Sequence, residues 1–174
     1  GIYLYSIIGA GQNCSDFIQP IDINNIPHML IYGPDGCGKK TLLYSFLGYE
    51  KKTKMTKRIK TSSKEIPFTM YWNSKYIEFD VKEMGMYGKF IIRDIIQSLA
   101  QTRQIMNDRP KIVILHHVEL LSMESQYILN QILESHLINC KFILISNSIN
   151  NINISLQSNC LCLRISAISE ENIR

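Results

Sequence analysis

The residues with the clearest chemical potential lie in the glycine-rich stretch GPDGCGKKT, residues 33–41. A phosphate-binding loop follows the pattern G-x-x-x-x-G-K and then Ser or Thr. Its backbone N–H groups surround the phosphates, its lysine reaches the terminal ones, and its hydroxyl holds Mg²⁺. Residues 33–39 follow this pattern, but Lys40 stands where the hydroxyl is required. The stretch therefore predicts a loop that binds phosphate and positions Mg²⁺ poorly.

The candidate nucleotide-contacting residues are the whole loop and one residue beyond the next apolar strands. They are Gly33, Pro34, Asp35, Gly36, Cys37, Gly38, Lys39, Lys40, Thr41 and Asn147. Thr41 has a hydroxyl, but it comes one residue late. Because successive helical residues point to different sides, we expect Thr41 to lie on a different side of the helix from the metal position.

A second part of the magnesium site would come from the apolar run KIVIL, residues 111–115. In ATP-hydrolysing proteins of this kind such a strand ends in acidic residues that hold the metal and orient the attacking water. Here it runs into His116 and His117, with no acid before Glu119. We expect the paired histidines to form a turn with partly exposed rings rather than a metal site. Glu119 would need an unusual turn to replace the missing acids.

The elements that would position these residues alternate along the chain. The run 28–33 has the composition of a strand, and the apolar spacing after the loop predicts a helix. Further patterns predict strands at 67–81, 111–117, 141–148 and 160–166, helices at 88–102 and 122–137 (with Ser122 as N-cap), and a loop at 147–155. Strands that alternate with helices predict an α/β fold, a parallel sheet covered by helices on both faces.

Composition limits the class of protein. The chain has 174 residues, 45% of them hydrophobic and 20% charged, which suits one globular α/β domain. No apolar run reaches the roughly 18–20 residues that span a bilayer, and the opening residues lack the basic start of a signal peptide. The five cysteines are odd in number and form no C-x-x-C pair. We therefore expect thiols in a reducing compartment, no structural zinc and no membrane partner.

The basic charge is local. Residues 51–64, KKTKMTKRIKTSSK, hold seven basic side chains and no acid, whereas the whole chain carries only +4. Without this segment the remainder would carry −3. Two interpretations stay open: a solvated loop or exposed hairpin face, and a contact with the phosphate backbone of a nucleic acid.

Several ordered stretches together resemble a known family. IPHMLIYGPDGCGKKT, SKYIEFDVKEMGMYGKFIIRDIIQSLAQT, IVILHHVELLSMESQYILNQILE, CKFILISNSINNI and LQSNCLCLRISAISEENI cover nearly the whole chain. They resemble the AAA+ module of the small subunits of replication factor C, the sliding-clamp loader. The likeness is greatest to the subunit type whose loop reads G-K-K-T and which contributes little hydrolysis.

This resemblance implies a P-loop NTPase fold of the AAA+/RecA-like type and assigns roles to single residues. His116 and His117 fall where active relatives have Asp and Glu. Asn147 falls on a residue that senses the terminal phosphate. Asn159 replaces the arginine finger that the family offers to a neighbour's ATP, and Asn130-Gln131 replace paired arginines. Three catalytic losses (Lys40, the two histidines and Asn159) imply a subunit without independent ATPase activity.

The resemblance also implies cofactors, partners and domain limits. We expect an AAA+ large domain over residues 1–166 and, at 167–174, a linker to a helical lid outside this chain. ATP or ADP would bind with Mg²⁺ poorly coordinated, or the pocket would be empty. The expected partners are the other subunits of a hetero-pentamer, a sliding clamp and primer–template DNA, in the nucleus or at a viral replication site in the cytoplasm. The alternatives are a divergent active AAA+ ATPase of the same complex and a small P-loop kinase.

Overall fold

The computed structural model of the protein describes residues 26–102, 110–135 and 139–166, together with the backbone of residues 3–5 and 18–20. The strands are β1 (Tyr3–Tyr5), β2 (Ile18–Pro20), β3 (Met29–Tyr32), β4 (Thr53–Lys60), β5 (Glu65–Trp72), β6 (Ile77–Asp80), β7 (Lys111–His116), β8 (Cys140–Ser146) and β9 (Leu161–Arg164). The helices are α1 (Lys39–Leu47), α2 (Val81–Met84), α3 (Gly88–Ile91), α4 (Gln97–Gln101), α5 (Met123–Ser135) and α6 (Ile154–Ser158).

Seven of the strands form one mixed sheet in the order β4-β5-β6-β7-β8-β3-β9. The five strands from β6 to β9 in this order pair in parallel, as predicted. The sheet is not parallel throughout, because β4, β5 and β6 pair antiparallel. The reason is connection length: only residues 61–64 separate β4 from β5, and so short a link permits a hairpin but no parallel crossover.

The single strand predicted at 67–81 is likewise two strands. Between β5 and β6 the side chain of Asn73 accepts backbone N–H bonds from Lys75 and Tyr76, at 2.8 and 3.0 Å. A side chain that takes the place of a backbone acceptor in this way builds a tight turn. The chain therefore reverses direction within a segment whose composition is typical of a strand throughout.

Helices cover both faces of the parallel part of the sheet, as predicted. On one face α1 packs Leu43 and Phe46 against Ile31, Ile114 and Ile145 of three neighbouring strands. The other face carries a larger apolar cluster formed with the helical segment 81–101 and with α5. Because both faces are buried, the strands are almost continuously apolar, which explains why they were recognisable as runs without alternation.

The remaining boundaries differ little from expectation. The predicted helix 88–102 corresponds to α3, a π-helical turn at Ile92–Ile96, and α4. The hydroxyl of Ser122 accepts the backbone N–H of Ser125 at 3.1 Å, so the predicted N-cap of α5 is confirmed. The predicted loop at 147–155 ends at residue 153, where α6 begins. Residues 136–137 and 167–174 lie outside the described residues. No described helix is long and apolar enough to cross a membrane.

His28 holds β3 in place at the end opposite the glycine-rich loop. Its Nδ1 accepts the backbone N–H of Phe142 at 3.0 Å, and its Nε2 donates to the carbonyl oxygen of Leu133 at 3.0 Å. These bonds use both ring nitrogens of the neutral imidazole. Burial lowers the pKa of His28 below 6.5 despite the bond to Leu133. The ring is thus a neutral spacer between β3, β8 and α5.

This arrangement predicts a specific loss of stability in mild acid. Above the unfolded pKa of 6.5, both folded and unfolded chains hold a neutral imidazole, and the stability is fully present. As the pH falls towards about 5, the unfolded chain takes the proton first, and the free energy of unfolding decreases. Urea unfolding at several pH values should show a steeper decrease for the wild type than for His28→Leu. Equal slopes would show that His28 titrates freely in the folded chain.

Candidate functional site

The glycine-rich loop leaves the end of β3 and enters α1 through two residues that favour glycine. Gly36 and Gly38 have φ values of 75° and 96°, which strain any residue with a side chain. Gly33 is needed for a different reason: a Cβ atom there would lie 2.2 Å from the carbonyl oxygen of Ile165. The loop therefore depends on glycine both for its turns and for its close approach to the chain after β9.

Lys39 is the buried centre of this loop. Its side chain is only 6% exposed, and its Nζ donates to the carbonyl oxygens of Gly33 and Pro34 at 2.7 and 2.8 Å. The sulfur of Cys37 lies 3.9 Å from the same nitrogen. The ammonium group is thus held inside the loop by neutral oxygen atoms, which leaves its charge uncompensated within the described residues.

A cavity of about 330 Å³ opens beside the loop. The loop and the start of α1 line one side, and the ends of β7 and β8 line the other. The lining residues are Asp35, Gly36, Gly38, Lys39, Lys40, Thr41, His116, His117, Ile145 and Asn147. Ligands of parallel α/β sheets bind at this edge, outside the carboxyl ends of the strands.

The cavity brings together seven of the ten candidate residues. Gly33, Pro34 and Cys37 do not line it and instead surround the ammonium group of Lys39. Thr41 also lines the cavity, together with the two residues before it. The helix begins only at Lys39, and its first turn faces the cavity broadly. A hydroxyl-bearing residue therefore belongs to the cavity lining, one residue later than in the usual pattern.

His116 differs from its prediction. It is the last residue of β7 and is only 5% exposed, so it is neither in a turn nor partly exposed. Its Nε2 lies 3.5 Å from a carboxylate oxygen of Glu78, and its Nδ1 is buried without a partner among the described residues. Leaving a buried polar atom unpaired costs about 1–3 kcal/mol. A hydrogen-bond partner for Nδ1 of His116 would remove this cost.

His117 does occupy a turn, as predicted, in the left-handed conformation with φ of 58°. Its Nδ1 lies 2.8 Å from Asp80 at the end of β6, and its side chain is 17% exposed. Glu119 follows in a short 3-10 turn and does not line the cavity. The structure therefore brings no acidic side chain of this segment to the magnesium position.

A buried carboxylate beside the cavity was missed by sequence reasoning. Glu78 of β6 accepts hydrogen bonds from Lys52 at 2.7 Å and from the hydroxyl of Tyr44 at 2.9 Å. Burial opposes its charge, but the bonds from His116, Lys52 and Tyr44 outweigh burial and hold the pKa of Glu78 below its ordinary value. Burial raises the pKa of Tyr44 to about 12, so its hydroxyl stays protonated. The only available signal was the presence of two acids, Glu78 and Asp80, in the short strand IEFD.

The curated proteins to which this chain is similar include several replication factor C subunits. The chain is 32% identical to replication factor C subunit 5 of Oryza sativa subsp. japonica over 177 aligned positions, covering 94% of this chain and 49% of the relative. It is 34% identical to the probable replication factor C subunit 3 of Dictyostelium discoideum, covering 91% and 51%. Against replication factor C subunit 3 of Homo sapiens the identity is 29%, covering 88% and 46%. The chain is a relative of replication factor C subunits.

This replication factor C relative spans about half the length of the curated proteins that it matches. No protein-family model matches the chain. A solved structure, that of a DNA polymerase III gamma subunit-related protein from Thermotoga maritima, superposes with a TM-score of 0.55 at 15% identity, covering 84% of this chain and 43% of the other. The α/β fold expected for a P-loop protein of the clamp-loader type is thus confirmed.

In this replication factor C relative, Asn159 stands at the position of the expected arginine finger, and hydrogen bonds hold its side chain. The side-chain amide of Asn159 donates to Asn130 at 2.6 Å and to Glu134 at 3.0 Å, both on α5. Two asparagines at positions where the resemblance implies arginines therefore bond to each other. Among the described residues, moreover, no group of three or more His, Cys, Asp or Glu side chains is arranged to hold a metal ion.

The close approach at Gly33 gives a test of the loop. We expect Gly33→Ala to lower the free energy of unfolding by about 1–3 kcal/mol, because the added methyl group overlaps a backbone carbonyl. Gly88→Ala is the matched control, since Gly88 has helical dihedral angles and its nearest added contact would be 3.6 Å. That variant should be neutral or slightly more stable. Equal effects of the two substitutions in urea unfolding would contradict the loop geometry.

Proposed function

We propose that this chain is the nucleotide-binding domain of a clamp-loader subunit that binds nucleotide without hydrolysing it. The observation that carries the proposal is the combination found in one cavity. The glycine turns and Lys39 line the same cavity as Lys40 and His116, which stand where the resemblance implies a hydroxyl and an acid. The bound nucleotide would then have a structural role, setting the shape that the subunit presents to its neighbours.

The phosphate side of the cavity fits a nucleotide. The glycine turns leave the backbone N–H groups at the start of α1 without side chains in front of them, and such groups attract anions. Lys39 would exchange its bonds to the carbonyl oxygens of Gly33 and Pro34 for phosphate oxygens. Asn147, at the end of β8, lines the same cavity and would donate its amide to the terminal phosphate.

The metal side of the cavity does not fit Mg²⁺. This ion requires oxygen ligands in near-octahedral geometry. Lys40 brings an ammonium group to the position of the missing hydroxyl, and His116 brings a ring nitrogen to the end of β7. The positive charge of Lys40 would instead neutralise part of the phosphate charge directly. Nucleotide binding should therefore be nearly independent of Mg²⁺.

The chemistry of hydrolysis also lacks its remaining groups. His117 is bonded to Asp80 and is not an acid that could orient an attacking water. Asn159 is neutral and is held against α5, so it offers no positive charge to a neighbouring nucleotide. These losses lie on different strands and loops of the domain. They support a subunit that does not hydrolyse nucleotide in its own pocket and does not assist hydrolysis in the pocket of its neighbour.

The proposed partners follow from the relatives. Because the relatives are named as replication factor C subunits, we expect this chain to assemble with other clamp-loader subunits, to act on a ring-shaped clamp and primer–template DNA, and to work in the nucleus. The β4–β5 hairpin supports the DNA contact. The side chains of Lys54, Arg58 and Lys60 lie on the same face of β4, and all three are exposed. Such a basic face suits a phosphate backbone.

Titration calorimetry with ATP tests the nucleotide proposal. We expect the affinity of the 174-residue chain for ATP in excess EDTA to lie within about threefold of that in Mg²⁺. Lys39→Ala should weaken binding at least about tenfold, since it removes a charged hydrogen-bond donor to phosphate. Lys75→Ala, which removes an exposed charge elsewhere, is the control.

Phosphate release measured on the same samples completes the test. Wild type and Lys39→Ala should both show only background release of phosphate. Turnover that requires Mg²⁺ and disappears in Lys39→Ala would overturn the proposal and favour a divergent active ATPase.

The salt dependence of DNA binding tests the hairpin. We expect Arg58→Ala/Lys60→Ala to reduce the slope of log affinity against log salt for primer–template DNA by about 2, one for each lost phosphate contact. Lys75→Ala/Lys82→Ala removes the same charge outside the hairpin and should leave the slope unchanged. If both pairs change the slope equally, the hairpin is only a solvated face.

A further inference from the structure

A second cavity of about 400 Å³ lies beside the nucleotide cavity. It is formed between α1 and the base of the β4–β5 hairpin, and its volume falls within the range of about 300–1,000 Å³ that is usual for ligand sites. Lys40 and His116 line both cavities. The two spaces therefore adjoin at the side chains that replace the magnesium ligands.

The carboxylates of this second cavity are already partnered. Glu78 is bonded to Lys52 and Tyr44. Asp80 accepts from the backbone N–H of Lys82 at 3.0 Å and is paired with His117. Glu83 accepts the hydroxyl of Tyr71 at 2.9 Å. Each negative charge on the lining thus has a donor directed at it.

Most lysines of the cavity, by contrast, have no partner among the described residues. Four of them line it, and Lys52 is the one that Glu78 holds. The side chains of Lys40, Lys51 and Lys54 are exposed, and none of them makes an ion pair or hydrogen bond within the described parts of the chain. The lining holds four lysines and three carboxylates, so its net charge is positive by one, and three ammonium groups without a partner among the described residues are free to contact an anion.

His116 supplies an independent sign that a ligand belongs here. Its side chain is buried, its Nδ1 has no partner among the described residues, and it lies on the wall between the two cavities. A hydrogen bond between Nδ1 and a phosphate group would give this atom its missing partner, while Nε2 remains near Glu78. One phosphate group would therefore give Nδ1 of His116 a hydrogen-bond partner and balance positive charge of the three lysines.

We propose that the second cavity is a phosphate-binding subsite formed by Lys40, Lys51, Lys54 and His116. The phosphate group would be either free or the outermost group of a polyphosphate chain whose nucleotide occupies the first cavity. The second of these sources rests on the proposed function, and the first does not. The two sources share the same chemistry, a phosphate with two negative charges.

Pyrophosphate titration of chains that lack the loop lysine tests the subsite by itself. In Lys39→Ala we expect pyrophosphate binding to persist, because the second cavity does not use Lys39. Adding Lys51→Ala/Lys54→Ala to that variant should weaken binding at least about tenfold. The control adds Lys60→Ala/Lys64→Ala instead, which removes the same charge at the tip of the hairpin, and it should retain binding within about twofold.

Two results would overturn the subsite. One is that Lys39→Ala fails to bind pyrophosphate at all while it remains folded by circular dichroism. The other is that the two double additions weaken binding equally, which would reduce the effect to general electrostatic attraction.

Nucleotides of increasing length distinguish the two sources of phosphate. If the subsite takes the end of a nucleotide chain, adenosine 5′-tetraphosphate should bind wild type about tenfold more tightly than ATP, and Lys51→Ala/Lys54→Ala should abolish this gain. Equal affinities, with pyrophosphate binding retained in Lys39→Ala, assign the subsite to free phosphate. Failure of ATP to bind at all would contradict the proposed function and leave the pyrophosphate result to decide the subsite.

Discussion

The whole site depends on the position of β3 between β8 and β9. Ile31 pairs with Ile145 on one side and with Leu163 on the other, in parallel on both. Because parallel strands end at the same edge, the loop after β3 opens where β7 and β8 also end. The same pairing presses Gly33 against the carbonyl of Ile165 and leaves no room for a side chain there. The geometry of the phosphate loop is therefore a consequence of the sheet register.

Next to this frame, one buried carboxylate organises the polar side of the fold. Glu78 contacts a tyrosine of α1, a lysine of the segment before β4 and a histidine of β7. Removing such a group from water is costly unless its partners compensate for the lost hydration. Three donors surround it here, so the ion pair with Lys52 closes the base of the hairpin against α1 instead of destabilising it. The hairpin is thereby coupled to the wall of the nucleotide cavity.

What could be predicted from the sequence had local causes. Patterns among neighbouring residues predict the loop, its helix and the apolar strands. The order of the strands then implies that Lys39, His116 and Asn147 lie at the same edge of the sheet. The contacts of Glu78 could not be found in this way, because its partners Tyr44 and Lys52 are 34 and 26 residues away in sequence. His116 was misplaced for a similar reason, since its burial depends on a carboxylate that no local pattern connects to it.

The replacements at this site change its charge in one direction. A metal-binding pocket combines a hydroxyl and acidic side chains so that a divalent cation bridges protein and phosphate. Here the hydroxyl position holds Lys40, and the acidic positions hold the ring of His116 and the ring of His117, the latter bonded to Asp80. In the proposed function the ammonium group of Lys40 would take over part of the role of the ion that the acids would have bound. Under the proposed function, a pocket altered in this way would keep its attraction for phosphate and lose the metal that polarises the bond to be cleaved. On this proposal, retained binding and lost turnover would be two results of one change in charge.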